Sequence, residues 1–207
     1  MKSLLDARRI LEHPRLYSWY REFAAGRRER AVFAQEYVRA RPGNRILDVG
    51  CGPADLLEDL PEQVVYFGAD TAQRYIDDAK KRFAGRGEFF CRTLDVPFVD
   101  ELGANSFDIV IAHGLLHHLD DREVASVYEV VNRALVPGGR LVTLDGCYAP
   151  NQSLIVRALL KGDRGKYVRD QESYLALSKR AFREVTGSLR SDLHRIPYCV
   201  LIQECVK

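Results

Sequence analysis

The sequence predicts a doubly wound α/β domain on a mostly parallel sheet, and three observations support that prediction. The aliphatic residues Ile46, Leu47 and Val49 are typical of a strand buried on both faces of a parallel sheet. A glycine turn at Gly50 and Gly52 follows at once, and leucines at helical spacing follow the turn. Further apolar runs then alternate with helical patterns, which is the order of elements in doubly wound folds.

The glycine turn is the feature on which the other predictions depend. Gly50 and Gly52 lack the Cβ atoms that would keep a ligand from the backbone, and we expect Pro53 to open the following helix. A dinucleotide fingerprint would place a third glycine where Asp55 stands. A carboxylate in the first helical turn would repel the negative charge of a pyrophosphate. The loop therefore favours a zwitterionic or cationic ligand.

The stretch Asp48-Val49-Gly50-Cys51-Gly52-Pro53-Ala54 resembles the first motif of class I S-adenosylmethionine-dependent methyltransferases. It departs from that motif at Ala54, where the family usually has a third glycine. The resemblance implies a Rossmann-like sheet of seven strands, with N-terminal helices and a helical insertion before the last two strands. It implies S-adenosylmethionine as cofactor and S-adenosylhomocysteine as product. The cofactor-binding residues are then Asp48, Gly50, Cys51, Gly52, Asp70, Thr71, Leu94, Asp95, Val96 and His113.

A second strand is predicted from Val64 to Asp70, and its last residue lies 22 positions beyond Asp48. A carboxylate at the end of this neighbouring strand is suited to accept both ribose hydroxyls of an adenosine. The resemblance implies the same role for Asp70, whereas the alternative is that Asp70 only caps the next helix. We expect Thr71 to begin that helix and Tyr75 to face the core.

Strands are also predicted at Glu88–Arg92 and Phe107–Ala112. In the resembling family an acid after the third strand accepts a hydrogen bond from the adenine amino group, and Asp95 matches it by position. The alternative for Asp95 is a turn residue before Pro97.

Three histidines, His113, His117 and His118, follow the fourth strand at the edge where ligands of such sheets bind. The spacing of His113 and His117 would allow them to share a helical face, but no third ligand is visible, so no metal site is predicted. Imidazole titrates near neutral pH, which suits a general base. We favour His113 as that base and His117 as an acceptor contact; the alternative is that these histidines serve packing and loop geometry.

A fifth strand is predicted at Arg140–Leu144, after a turn at Pro137–Gly139. It delivers Asp145 and Tyr148 to the same edge of the sheet. These two residues are further candidates for acid, base or acceptor contact.

Two segments outside the core are expected to form the acceptor pocket. Residues 4–40 predict helices with a break at Gly26. In such methyltransferases this segment often contributes to the pocket, which makes Tyr17 and Tyr20 candidates. The alternative is that these aromatic residues form the packed face of an amphipathic helix. Residues 150–182 predict helical pieces, Ser153–Leu160 and Glu172–Phe182, around a polar loop.

In the loop of this insertion, Arg164, Tyr167 and Arg169 have the chemistry to hold a carboxylate, a phosphate or sugar hydroxyls. A solvated loop without such a role is the alternative. Closing strands are predicted at Arg183–Leu193 and Tyr198–Val206. The expected organisation is one domain over 1–207, with a helical lid (1–44), a cofactor-binding core (45–149), an acceptor-side insertion (150–182) and closing strands (183–207).

The charge distribution and the cysteine pattern limit the kinds of partner that we expect. The net charge is +6 over residues 1–45, −9 over 46–150 and +5 over 151–207, so basic segments flank an acidic core. These segments would suit an anionic acceptor or RNA, but no run of five like charges and no basic-aromatic alternation supports nucleic acid. Five cysteines without a Cys-x-x-Cys pattern indicate reduced thiols, and no apolar run approaches membrane-spanning length, so we expect a cytoplasmic protein.

The sequence thus predicts a methyltransferase that acts on a small-molecule acceptor, with oxygen the favoured atom. Alternatives are a non-catalytic scaffold that binds the cofactor, an RNA or protein methyltransferase, and a nicotinamide oxidoreductase. Asp55 and the absence of a Tyr-x-x-x-Lys pair in the right half oppose the last. A nucleic-acid methyltransferase would carry an Asn/Asp-Pro-Pro-aromatic motif where Ala112-His113-Gly114-Leu115 stands. The acceptor and the oligomeric state stay open.

Overall fold

The computed structural model describes residues 26–150, 152–162, 165–194 and 198–207. The strands are β1 (Arg45–Val49), β2 (Val65–Asp70), β3 (Glu88–Cys91), β4 (Phe107–His113), β5 (Leu135–Tyr148), β6 (Arg169–Asp170), β7 (Glu184–Arg190) and β8 (Val200–Val206). The α-helices are α1 (Gly26–Val32), α2 (Gln73–Arg82), α3 (Val96–Leu102), α4 (Asp121–Ala134), α5 (Leu154–Gly162) and α6 (Gln171–Ser178). A π-helical turn (Phe33–Val38) continues α1, and 3-10 turns lie at Asp55–Asp59 and Leu116–His118.

The predicted fold class is confirmed. The main path of the sheet has the order β3-β2-β1-β4-β5-β8-β7, and the two-residue strand β6 pairs with β5 off this path. Strands β1 to β5 pair in parallel, whereas β8 pairs antiparallel with β5 and with β7. The strand order reverses between β1 and β4, so their carboxyl ends open a crevice at the place where open α/β sheets bind ligands.

Both faces of the sheet are covered, which explains the apolar runs in its central strands. Because side chains alternate along a strand, Ile46 joins an apolar cluster on one face and Leu47 joins another cluster on the other face. The first cluster includes Phe33 from the π-helical turn and Ile76 from α2. The second includes Tyr128 from α4.

The prediction of a helix after the glycine turn is wrong. Only the 3-10 turn Asp55–Asp59 forms there, and Leu60 after it has an extended backbone with ψ 152°. The cause is Pro61, because the residue before a proline is pushed out of the helical region. Pro53 does not open the turn either, since Ala54 lies between it and Asp55 in a left-handed conformation.

Three other boundaries differ from the prediction. Helix α2 begins at Gln73 rather than Thr71, because Ala72 is still extended at the N-cap. Tyr75 is exposed rather than inward-facing; Ile76 and Ala79, one turn apart, form the buried stripe. Strand β5 begins before Pro137–Gly139, so the predicted turn lies within the strand, and a register shift in its pairing with β4 accommodates it.

The outer segments contain the types of element that the sequence predicted, with different bounds. Helix α1 covers Gly26–Val32 at the start of the described residues, and the insertion contains α5, β6 and α6. Strands β7 and β8 form the predicted closing antiparallel pair. No helix among the described residues is long and apolar enough to cross a membrane.

Candidate active site

The loop after β1 has three residues with positive φ angles: Gly50 at +71°, Gly52 at +55° and Ala54 at +59°. This left-handed backbone is the reason for the glycines, and Ala54 adopts it although it carries a Cβ atom. The loop is tied to β2, because the amides of Gly50 and Cys51 both donate to the Ala69 carbonyl, at 2.8 and 3.0 Å.

Asp70, the last residue of β2, completes this attachment. Its Oδ2 accepts from the Gly52 amide at 3.0 Å, and its Oδ1 accepts from the Ala72 amide at 2.7 Å. Asp70 therefore fixes the loop and the entry to α2 together. Each carboxylate oxygen has a second lone pair, so these contacts leave acceptor capacity for ligand hydroxyls.

Asp48 lies below the loop and is buried, with 2% of its surface exposed. Its Oδ2 accepts from the Tyr66 hydroxyl at 2.6 Å, whereas its buried Oδ1 has no hydrogen-bond partner. Burial raises the pKa of Asp48 to about 6, although the Tyr66 hydrogen bond opposes that shift. Burial, with the charges of Asp48 and Asp70, raises the pKa of the neighbouring Cys51 thiol far above its usual value, so this thiol stays protonated.

Strand β3 lies next to β2 in the sheet, on the side away from β1 and its loop. Asp95 is the N-cap of α3, and its Oδ1 accepts from the Phe98 amide at 2.8 Å. Asp95 therefore caps α3, and its contact with the adenine amino group stays a prediction. Leu94 is half-buried, whereas Thr71 and Val96 are exposed.

His113 ends β4 and faces a carboxylate that the sequence analysis did not find. Its Nε2 lies 2.9 Å from Glu29 Oε1, and His194 Nε2 lies 2.6 Å from Glu29 Oε2. Glu29 is in α1 and His194 follows β7, so no local spacing connects these residues with His113. Only the folded chain brings the three together.

His117 forms a second pair of imidazole and carboxylate. Its Nδ1 lies 2.8 Å from Asp145 Oδ1, and its backbone amide donates to the same oxygen. Asp145 is buried and its Oδ2 has no hydrogen-bond partner. His113 and His117 do not share a helical face, because β4 ends at His113 and Gly114 turns the chain with φ +69°.

Arg169 anchors the insertion over this second pair instead of facing an acceptor. Its guanidinium donates to the carbonyls of Leu116, Leu119 and Tyr167 and to the Asp121 carboxylate. These bonds occupy the guanidinium, so its predicted role as an anion contact is wrong.

The anchored segment covers His117 closely. A Cβ atom on Gly165 would lie 2.0 Å from the His117 ring, and the Tyr167 amide donates to the His117 carbonyl at 2.9 Å. Tyr167 itself is 42% exposed. Tyr148 at the end of β5 is half-buried, with the Arg157 guanidinium 5.6 Å from its ring centre. The candidates Tyr17, Tyr20 and Arg164 lie outside the described residues.

The residues of this edge fit S-adenosylmethionine. A Cβ atom on Gly52 would meet no heavy atom within 4 Å, so the glycine leaves open space beside the loop. Asp48 offers an unpartnered buried oxygen, and Asp70 offers acceptor capacity at the end of the next strand. Anionic acceptors at these positions suit a ligand with an ammonium group, a sulfonium group and ribose hydroxyls.

Comparison with known proteins identifies the family. Residues 47–141 match the model of a methyltransferase domain. The chain is 30% identical over 166 residues to the O-methyltransferase rstn1 of Aspergillus nomiae, which covers 70% of each protein. This chain belongs to the class I S-adenosylmethionine-dependent methyltransferases, a family of enzymes.

Other relatives share the domain in longer proteins. The chain is 35% identical over 104 residues to the probable tRNA methyltransferase 9B of Homo sapiens, a match of 49% of this chain and 21% of that protein. The names of further relatives include carbon and nitrogen methyltransferases. This chain spans less than half the length of the tRNA methyltransferase relative and of each of these carbon and nitrogen methyltransferases. The fold matches a S-adenosylmethionine-dependent methyltransferase from Archaeoglobus fulgidus with a TM-score of 0.71, at 18% identity and over 92% of this chain and 99% of that one.

The raised pKa of Asp48 predicts a cost in stability near neutral pH. The folded protein keeps the proton up to about pH 6, whereas the unfolded chain loses it near pH 3.8. The contribution of protonated Asp48 to the free energy of unfolding is therefore fully present below pH 3.8 and is lost as pH rises through 6. The loss amounts to about 3 kcal/mol. We expect Asp48→Asn to be more stable than the wild type at pH 8 by roughly that amount, with the difference shrinking toward pH 4.

Urea unfolding of both proteins at several pH values measures this difference. Tyr66→Phe is the matched control, because it removes the hydroxyl that stabilises the Asp48 carboxylate. Relative to the wild type, Tyr66→Phe should have its free energy of unfolding lowered more at pH 8 than at pH 4. A constant difference between Asp48→Asn and the wild type across this range would contradict the assignment.

Proposed function

We propose that this chain transfers the methyl group of S-adenosylmethionine to an oxygen atom of a small molecule. The observation that carries the proposal is that His113 and His117, at the carboxyl end of β4, each lie within 3 Å of a buried carboxylate. Deprotonating a hydroxyl group near neutral pH requires a base of this kind. The O-methyltransferase that matches 70% of both chains supports oxygen as the acceptor atom.

In this proposal the cofactor lies along the carboxyl ends of β1, β2 and β3. Gly50, Cys51 and Gly52 give it access to the backbone, and Asp70 accepts its ribose hydroxyls. Asp48 supplies acceptor oxygens beneath the loop. The remaining contacts are assigned to Thr71, Leu94, Asp95 and Val96. When bound, S-adenosylmethionine supplies a methyl group on a positively charged sulfur, an already activated leaving group.

The chain's own residues then position the acceptor and take up its proton. His113 accepts the proton of the acceptor hydroxyl. The His117 ring and Tyr148, with Asp145 holding His117, form one wall of the acceptor site. Arg169 locks the insertion onto that wall through the carbonyls after β4. Positioning of this kind accounts for much of the rate in a transfer that needs little covalent chemistry from the protein.

The outer segments complete the proposed organisation, one domain with a core at 45–149. Residues 1–44 form a lid that brings Tyr17 and Tyr20 to the acceptor, and residues 150–182 contribute Arg164 and Tyr167. Residues 183–207 close the sheet. We assign no metal ion to the reaction and place the protein in the cytoplasm, in keeping with its five thiols and no Cys-x-x-Cys pattern.

Methylation of tRNA is the second candidate, because a relative at 35% identity has the name of a tRNA methyltransferase. That match spans 104 residues, half of this chain, and leaves the remaining length of both proteins unmatched. The residues after β4, His113-Gly114-Leu115, also differ from the motif that holds a flipped base. A small-molecule acceptor therefore remains the favoured proposal.

Asp70→Ala tests the cofactor site. The variant loses two charge-assisted hydrogen bonds to ribose hydroxyls, each worth about 1.5–3 kcal/mol, so the dissociation constant of S-adenosylhomocysteine should rise about 100-fold or more. Isothermal titration calorimetry measures this change, and circular dichroism confirms that the variant is folded. Asp77→Ala is the control, since Asp77 accepts a hydrogen bond from Gln73 on the same helix. Equal affinity in all three proteins would refute the ribose assignment.

The acceptor class is tested with cofactor carrying a tritiated methyl group. The purified protein is incubated with pools of phenols, carboxylic acids, amines and unmodified tRNA, and the labelled products are separated. We expect label in a phenol or carboxylic acid. Label only in amines would overturn the oxygen assignment, and label only in tRNA would favour the second candidate. Tight cofactor binding with no transfer to any pool would favour a scaffold.

A further inference from the structure

A buried carboxylate connects the N-terminal helix to the carboxyl end of β4. Glu29 has only 3% of its surface exposed, and its two oxygens each face one imidazole, His113 on one side and His194 on the other. A buried charge is tolerated only with partners. The two histidines are these partners, and they come from parts of the chain far from α1.

The charge on Glu29 determines which nitrogen of each ring carries hydrogen. Burial by itself would raise the pKa of Glu29, but hydrogen bonds and charges from His113 and His194 hold it well below its usual value. The carboxylate is therefore ionised throughout the range in which histidine titrates. An ionised carboxylate only accepts hydrogen bonds, so the facing Nε2 atoms carry the hydrogens. The His113 Nε2 atom is buried and makes no hydrogen bond of regular geometry, so its attraction to Glu29 at 2.9 Å is mainly one of charge. In the neutral His113 ring, Nδ1 is then the nitrogen with the lone pair.

The same helix also fixes the orientation of the His113 ring. Phe33 lies four residues after Glu29, so both side chains project from one face of the α1 segment. The Phe33 ring contacts the His113 ring edge-on, with 5.1 Å between ring centres. His113 keeps 26% of its side chain exposed at the ligand edge, whereas His194 keeps only 7%. Glu29 thus holds one accessible imidazole and one buried imidazole.

We propose that Glu29 is a positioning residue for methyl transfer: it holds His113 with Nδ1 as the proton acceptor, and His194 fixes Glu29 from the opposite side. This inference rests on the proposed function, in which His113 is the base. His117 differs, because Asp145 faces its Nδ1 rather than its Nε2. The two histidines at the end of β4 therefore face their carboxylates with opposite ring nitrogens.

The O–H bond of the acceptor breaks and its proton goes to His113 Nδ1, while the oxygen forms a bond to the methyl carbon and the sulfur–carbon bond of the cofactor breaks. Methylated acceptor, S-adenosylhomocysteine and an imidazolium result. Glu29 stabilises the imidazolium by its charge, and the ring then releases the proton to water. Besides Glu29, the charge of Asp48 from β1 acts on His113, and His194 lies across the carboxylate.

Nuclear magnetic resonance tests the positioning without an acceptor. Long-range ¹H–¹⁵N spectra distinguish the two neutral imidazole tautomers, and His113→Gln assigns the His113 signals. We expect the Nε2–H tautomer in the wild type. In Glu29→Gln, which keeps the size of the side chain, this preference for one tautomer should be lost, because an amide can donate as well as accept a hydrogen bond. An Nδ1–H tautomer in the wild type would overturn the proposal even if the variant did not fold.

Kinetics with an acceptor from the tritium experiment provide the second readout. Glu29→Gln should lower kcat at least about tenfold and move the acidic limb of its pH profile to lower pH, with less than about threefold change in the dissociation constant of S-adenosylhomocysteine. Glu36→Gln is the matched control, since Glu36 pairs with Arg190 on the surface of the same helical segment. It should leave kcat and its pH profile unchanged.

The outcomes separate the two proposals. If the wild type transfers methyl groups and Glu29→Gln keeps the wild-type kcat and pH profile, Glu29 only stabilises the fold and the inference fails while the proposed function stands. If the wild type transfers to no acceptor but shows the expected tautomer, and Glu29→Gln loses it, the proposed function fails while the positioning of His113 by Glu29 stands.

Discussion

The left-handed backbone after β1 is the constraint on which the site depends. Its φ angles of +71° and +55° at Gly50 and Gly52 turn the chain away from the strand, and hydrogen bonds to Ala69 and Asp70 hold that turn against β2. The loop is thus rigid because of the neighbouring strand rather than because of a helix after it. A short 3-10 turn is sufficient there, since β2 satisfies the amides that a helix N-terminus would otherwise present.

Three buried carboxylates, Asp48, Glu29 and Asp145, each lie in a different environment. Asp48 has one phenol partner and a raised pKa, whereas Glu29 has two imidazole partners and a lowered pKa. Asp145 accepts from both the ring and the amide of His117. The two pairs of histidine and carboxylate draw the N-terminal helix and the fifth strand to the same edge of the sheet. The site therefore combines residues from segments that the sequence separates widely.

The sequence predicted the parts of this structure that depend on local patterns. The strand Arg45–Val49 and the acid at the end of β2 follow from apolar runs and strand ends. The helix after the loop failed because leucine spacing at Leu56 and Leu57 cannot show that Pro61 stops the turn. Glu29 and His194 were missed for a different reason: their meeting with His113 is a tertiary contact, and no spacing along the chain indicates it.

Thermal unfolding with S-adenosylhomocysteine and, separately, with NAD tests most directly whether the glycine loop is a site for S-adenosylmethionine. At about 100 times its dissociation constant, a ligand of the folded state adds roughly 2.7 kcal/mol, a shift of about 5–10 °C for a chain of this length. We predict that shift with S-adenosylhomocysteine and none with NAD. A shift with NAD alone, or with neither compound, would contradict the account.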